Sequence, residues 1–317
     1  MRWIKFLSIF LLALLSANVF PSPTTTHVDV GVFVNRVYNL SLRDGNYNVD
    51  FYIWFRWKGD NVNPIETFEI SNGKIENKTI VESKKVKGEN YTCARVNALI
   101  FQQFDTINFP FDQHRLKIQI EDGDHEIESL KYSSDLENSK VASSVSFAGY
   151  EIKGSSGKLK ETIYNTNFGD PELPKDNEVH YSQFEFNIHI HRTGFGYFLK
   201  LYWGIYLSAA VALLSLFIKP TDLDPRFGMG VGALFAIMAN IFVVSNELPD
   251  NGQMTTADHL NMLSISIVCL SLLISTISLK LYSRDKVKAS EKLDIWSVST
   301  LTAGYVALSL KIIIDSH

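Results

Sequence analysis

Cysteine is almost missing from this chain: Cys93 and Cys269 are the only two. One falls in a strand-like half and the other in a long apolar run. No disulfide is expected between them, and the fold is not a disulfide scaffold. An excess of basic charge is also lacking. Lys and Arg number 30 against 34 Asp and Glu, which leaves no footprint for nucleic acid. Catalytic signatures are absent as well, with no GxSxG elbow and no HExxH. Gly154-Ser155-Ser156-Gly157-Lys158 has the letters of a phosphate loop without the strand–loop–helix setting that gives one meaning. His189 and His191 share a strand face at spacing two, but two ligands do not make a metal site. The chain is therefore not expected to be an enzyme, and nothing in it calls for a metal or cofactor.

Charge is missing from long stretches of the second half. Apolar runs cover about Phe195–Ile218, Phe227–Val244, Leu260–Leu279 and Ile295–Ile314, with Lys200 and Lys311 as interruptions near the ends of the first and last. Each approaches the roughly 20 residues that a helix needs to span hydrocarbon. Transmembrane helices are expected at about 195–218, 225–247, 256–282 and 292–314. The loops between them are asymmetric. Lys219 and Arg226 lie between the first two runs, and Arg284, Lys286, Lys288 and Lys292 between the last two. The middle loop holds Glu247, Asp250 and Asp258 and no Lys or Arg. The positive-inside rule puts the basic loops in the cytoplasm and the N-terminal half and C-terminus outside, in a multi-pass protein of the cell membrane. Arg2 and Lys5, an apolar run Phe6–Leu15 and small residues Ser16 and Ala17 read as a secretory signal over 1–22, which points the same way.

What is present between 23 and 194 is β-pattern. Val28, Val30, Val32 and Val34 alternate with other residues, as do Leu116, Ile118 and Ile120, and Phe184, Phe186, Ile188 and Ile190. Residues 49–57 are aromatic and β-branched. Turn signals stand at Asp44-Gly45, Asn72-Gly73, Ser155-Ser156-Gly157 and Asp170-Pro171. Short strands at such spacing predict an antiparallel, immunoglobulin-like β-sandwich, followed by a four-helix transmembrane bundle.

Three features then carry a resemblance. Phe109-Pro110-Phe111-Asp112 lies on a loop in the later part of the β half, Arg192 ends the last strand just before the first apolar run, and the second run closes on Ser245-Asn246-Glu247-Leu248-Pro249. With four helices, this resembles the pentameric ligand-gated ion channels of the Cys-loop receptor superfamily, in their bacterial form. It extends over almost the whole chain after the leader. The loop cysteines of vertebrate members fall here on Gln102 and Leu116, and the first helix lacks their proline.

The resemblance implies a homopentamer, each chain meeting four identical subunits, opened by a small-molecule agonist bound between β domains. Matching the end of the second helix makes Asp224, Gly228, Gly232, Phe235, Ala239, Phe242 and Asn246 a pore-lining stripe. The alternative is a stripe that packs on neighbouring helices, since glycines at spacing four also do that. Asp222 and Asp224 at the cytoplasmic mouth favour cations, although Pro225 and Arg226 beside them resemble anion-selective members. Phe109, Pro110, Phe111, Asp112 and Arg192 are implied to couple the β domain to the helices, with Asp112 and Arg192 as an ion pair. The agonist site is implied to involve Tyr52, Phe68, His125, Tyr164 and Tyr181. An aromatic box favours a cationic amine, and the acidic residues Glu121, Asp122, Asp124 and Glu126 leave protons or a divalent ion open. The competing reading is a membrane-anchored extracellular binding or sensor module that passes no ions.

Overall fold

The computed structural model describes residues 25–316, apart from 148, 170, 172, 173, 175–177 and 251. The predicted signal segment 1–22 and Asp170 of one turn signal lie outside the described residues.

Among the described residues, ten strands precede the long helices: β1 (Thr26–Ser41), β2 (Asn46–Lys58), β3 (Phe68–Ile70), β4 (Gly73–Val86), β5 (Glu89–Phe101), β6 (Gln113–Asp122), β7 (Leu130–Ser134), β8 (Lys140–Val141), β9 (Tyr150–Tyr164) and β10 (Val179–Arg192). A one-turn helix, α1 (Pro64–Thr67), leads into β3. One sheet runs β4-β5-β2-β1-β7, with β8 also on β1; the other runs β3-β6-β10-β9. Neighbours are antiparallel except that β7 and β8 lie parallel to β1. The alternating valines of β1 are all fully buried, as are Phe51, Ile53 and Phe55 of β2 and Leu116, Ile118 and Ile120 of β6. A period of two sends every second side chain to one face, and both sheets contribute that face to one core. Phe55 and Phe68 meet across it with ring centroids 5.4 Å apart. Tyr47 Oη crosses it to donate to Lys117 O at 2.9 Å.

One expected turn is not a turn. Ser155-Ser156-Gly157 lies inside β9, where Gly157 pairs with Phe186 of β10. A Cβ on Gly157 would sit 2.4 Å from Leu136 Cδ2 and 3.0 Å from Phe184 Cε2. Glycine is there to admit neighbouring side chains to the strand, a use indistinguishable from a turn in one sequence. The phosphate-loop letters fall with it.

Four long helices follow: α2 (Gly194–Leu214, continued by a 3-10 turn Ser215–Phe217), α3 (Leu223–Glu247), α4 (Thr256–Tyr282) and α5 (Val287–Asp315). All four are long and apolar enough to cross a membrane, at mean hydropathies of 1.5, 2.1, 2.3 and 1.5, so the chain is a multi-pass membrane protein. Thr255 and Asp258 form a reciprocal capping box that starts α4. The last helix begins at Val287, five residues before the expected start at 292, which shortens the loop after α4 to 283–286. Its first turns are polar and bury only one side: Lys288, Glu291 and Lys292 are exposed, whereas Ser290 is fully buried and bonded to Ser278 at 2.7 Å. Hydropathy alone does not register that.

Gly31 on β1 is the most closely approached glycine of the β domain. A Cβ there would lie 2.3 Å from Trp54 Cζ2, and the indole is pinned by its Nε1 donating to Asp135 Oδ2 at 3.1 Å. Gly31→Ala is expected to lower stability by about 1–3 kcal/mol, the usual cost of overpacking. Thermal unfolding of the purified protein reads this. In a Trp54→Ala background the same substitution should cost far less; an equal cost in both would show that the indole is not the obstacle.

Candidate functional site

The FPFD turn sits where the β domain meets the helices. Phe109-Pro110 is a cis peptide. Phe109 is fully buried, and its ring meets Tyr197 of α2 edge-on at 6.3 Å. Phe111 stacks on Phe198 of α2 at 5.3 Å. Just before this turn, Ile107 O accepts from Thr256 N at 2.9 Å, so the same loop also holds the start of α4. Arg43, in the β1–β2 turn, donates to Asn246 Oδ1 at the far end of α3 at 3.0 Å.

Asp112 and Arg192 are brought together as a forked ion pair. Arg192 Nε donates to Asp112 Oδ1 at 2.6 Å and Nη2 to Oδ2 at 3.1 Å. Their side chains are 1% and 7% exposed, so neither charge has water as an alternative partner. His114 Nε2 lies 2.5 Å from Asp112 Oδ2, and Tyr150 Oη donates to the same oxygen at 3.2 Å. The guanidinium also lies over three rings, Tyr150 at 4.4 Å and Phe109 and Tyr197 at 4.9 Å each, where ring quadrupoles attract it. Burial pushes the Asp112 carboxyl up, but hydrogen bonds from His114 and Arg192 and the arginine charge outweigh it and hold it at about 2. Burial and the charge of Asp112 push the Tyr150 phenol up. Sequence reasoning found the pair but not His114 or Tyr150, whose only signal was an ionisable or aromatic residue on the strand next to each partner.

The stripe on α3 is equally distinct. Asp224, Gly228, Gly232, Phe235, Ala239, Phe242 and Asn246 are all exposed, Phe235 at 73% and Phe242 at 68%. The buried residues of α3 are Arg226, Gly230, Ala233, Ile237 and Val244. At about 100° per residue the two sets fall within roughly 40° of opposite lines along the helix. The stripe therefore does not pack on the chain's own helices. Arg226, counted above as a loop charge, is instead in the first turn of α3 with no exposed surface.

The five expected agonist residues do not form one cluster within the chain. Tyr164 and Tyr181 do meet, edge-on at 5.8 Å. They line a cavity of about 390 Å³ with Phe168, Glu69, Ser71, Glu121 and Gly123. Phe68 is not there: it is 4% exposed and faces the core, because strand alternation turns Phe68 inward and Glu69 outward. Applying the period of two to β3 would have named Glu69. His125 is tied to Asp122 through both its backbone N at 2.9 Å and its Nδ1 at 2.7 Å. Tyr52 is on the other sheet, beneath the guanidinium of Arg95 at 5.9 Å. Phe168, 67% exposed in the hairpin, had no pattern to reveal it. Burial and the neighbouring Glu121, Asp122 and Asp124 raise the Glu69 carboxyl. Burial and a hydrogen bond to Glu121 Oε2 at 2.9 Å raise the Tyr164 phenol. The cavity is thus aromatic-walled with crowded negative charge. Among the described residues, no group of three or more His, Cys, Asp or Glu is placed to hold a metal ion.

No protein-family profile matches the chain, and no curated protein shows significant similarity to it.

Breaking the buried pair from one side leaves a charge without a partner, at about 3–5 kcal/mol. Asp112→Asn and Arg192→Gln are each expected to destabilise the protein strongly, and a double-mutant cycle on thermal unfolding to give a large coupling energy; additive effects would show that the two do not interact. Because the folded-state value of Asp112 is depressed, its stabilisation is complete above the unfolded value near 4 and is lost as pH falls through about 2. That loss is worth about 2 kcal/mol. Glu185, also held at about 2 after burial is outweighed by its hydrogen-bond donors, titrates in the same window. The readout is therefore the difference in acid unfolding between the natural protein and Asp112→Asn.

Proposed function

We propose that this chain is one subunit of a homopentameric ligand-gated ion channel, in which α3 from each copy lines the pore. The observation that supports this reading is the α3 stripe. A helix apolar enough to cross a membrane turns glycines, an alanine and two phenylalanines away from its own chain, with a carboxylate at one end and Asn246, bonded to Arg43, at the other. Ringed about an axis, that side is narrow at Phe235 and Phe242, wide at Gly228 and Gly232, and polar at both mouths. Apolar rings that narrow block ions by dewetting. The ring of Asp224 carboxylates favours cations. In this reading the two sheets form an immunoglobulin-like sandwich outside the cytoplasm and the four helices a bundle in the cell membrane. The basic residues Lys219, Arg284, Lys286, Lys288 and Lys292 then face the cytoplasm.

The aromatic and acidic cavity at Tyr164, Phe168 and Tyr181 is where we propose that the agonist binds, with Tyr52 supplied by the adjacent copy. Ring faces and Glu69 together suit a small cationic amine. The junction at Asp112 and Arg192 is the proposed route from that site to α2 and α3, since it holds the FPFD turn against α2 while Ile107 and Arg43 touch α4 and α3.

Mass measurement of the purified protein in native lipid is expected to give a pentamer. A stable monomer would favour an anchored binding module and end the channel reading. In reconstituted protein, Phe235→Ala or Phe242→Ala is expected to produce current without agonist, because a smaller side chain rewets the constriction. Both variants behaving like the natural protein at normal expression would remove these rings as the barrier.

Amine binding should depend on Glu69 as an anion. Burial and the neighbouring carboxylates raise its titration above the ordinary glutamate value, so affinity for primary amines is expected to rise as pH increases through that titration. Glu69→Gln should weaken binding and flatten the pH dependence, and Tyr181→Ala should weaken it at every pH. Isothermal titration with a panel of primary amines checks this; unchanged affinity in both variants would place the agonist elsewhere.

A further inference from the structure

At the end of the helices remote from the FPFD turn, a second buried ion pair ties all four together. Arg226 of α3 and Asp294 of α5 form a fork, with Nη2 to Oδ1 at 2.7 Å and Nη1 to Oδ2 at 3.1 Å. The arginine side chain is 0% and the aspartate 9% exposed. Arg226 Nη1 also donates to Ile218 O at 2.6 Å, where the 3-10 turn after α2 ends. Ser278 of α4 donates to Asp294 Oδ2 at 2.7 Å, and Ser290 of α5 lies 2.7 Å from Ser278. Arg226 Nε has no partner, so the guanidinium is held by this carboxylate and one carbonyl.

The placement matters because of what stands two residues earlier. Asp224 is exposed on the stripe, and Asp222 is exposed at the start of α3. Two residues turn about 200° around a helix, which sends Arg226 to the opposite side. A free arginine so close to Asp224 would cancel much of its field, since unit charges a few ångströms apart interact by several kcal/mol even at an effective dielectric of about 20. Resting on the channel reading, we propose that Asp294 is a selectivity-positioning residue: it captures Arg226 behind the pore helix, so that the mouth presents the Asp224 carboxylates without the neighbouring cation. Lys219, also exposed at this end, precedes the helix and is not held on the stripe. Without Asp294, Arg226 keeps only the Ile218 carbonyl in the protein. A long basic side chain in that position extends toward the nearest water, and here that is the mouth.

The test uses full-length protein reconstituted in planar bilayers, with a panel of primary amines and acid steps to evoke current. Asp294→Ala is compared with Arg226→Gln/Asp294→Ala, which carries the same cavity without the cation. Asp294→Ala is expected to lower the cation-to-anion permeability ratio severalfold, and the double variant to restore the natural ratio. An unchanged ratio in Asp294→Ala, or a double variant as displaced as the single one, overturns the proposal. Should Asp294→Ala fail to assemble, the double variant decides. The natural ratio is expected, whereas a marked change in either direction would mean that the pair acts otherwise than by hiding Arg226. If the natural protein passes no current under any of these conditions, the channel reading fails. The pair is then judged on thermal unfolding, where the double variant should be more stable than Asp294→Ala and equal stability would overturn the pairing.

Discussion

A charge enclosed by protein persists only beside its counter-charge, and in this molecule that rule fixes the relation of one domain to the other. Asp112 sits on the turn that the β domain lowers toward the helices, and Arg192 ends β10 two residues before α2 begins. Because neither side chain reaches water, the turn and the strand end cannot separate without stranding a charge. Everything else at the junction follows from that. Phe109 and Phe111 are held against Tyr197 and Phe198, and the neighbouring Ile107 carbonyl is brought to the first turn of α4. The guanidinium is covered by rings on three sides, so its remaining surface is also matched.

The same rule operates at the other end of the helices, where Arg226 and Asp294 are the enclosed pair. Between the two charged nodes the polar contacts involve neutral groups, beside ring contacts such as Tyr206 with Tyr305 at 5.8 Å. Asn240 of α3 donates to Leu201 O of α2 at 2.7 Å, and Ser264 of α4 meets Tyr305 of α5 at 2.8 Å. Serines at 264, 271, 275 and 278 of α4 are all fully buried. Hydrocarbon offers helices no hydrophobic reason to associate, so close approach through small side chains and a few polar contacts does the holding. The helices are thus tied together by charge at one end, held to the β domain at the other, and joined between by contacts that individually contribute little.

Local pattern made much of this legible. Strand alternation identified the core faces of β1, β6 and β10, and apolar length identified the four helices to within a few residues at most ends. The register of the α3 stripe came from the resemblance, through Ser245-Asn246-Glu247-Leu248-Pro249, and helical spacing then put its members on one side. What pattern could not resolve was pairing in three dimensions. Arg226 looked like a loop charge because its partner is 68 residues away on α5. Gly157 looked like a turn because a glycine that admits Leu136 and a glycine that bends the chain are the same letter. Phe68 was carried over from the resemblance, although its strand parity already pointed it inward. The aromatic cavity was half visible: Tyr164 and Tyr181 flank a recognisable hairpin, whereas Phe168 lies in a loop without periodicity.

The parallel pairing of β1 with β7 has a consequence for how the chain is made. β1 obtains its antiparallel neighbour β2 at once, from a turn of four residues. Its opposite edge is completed only by Leu130–Ser134 and Lys140–Val141, about a hundred residues later. Closing so long a loop is slow, and an uncovered strand edge is a template for the wrong partner. While ribosomes are still adding β3 to β6, a strand whose alternating valines belong to the core therefore stands half-paired, and the nascent β domain is open at that edge until residue 141 has emerged. The helices are synthesised afterwards, so the domain has its last edge strand before the first membrane segment appears.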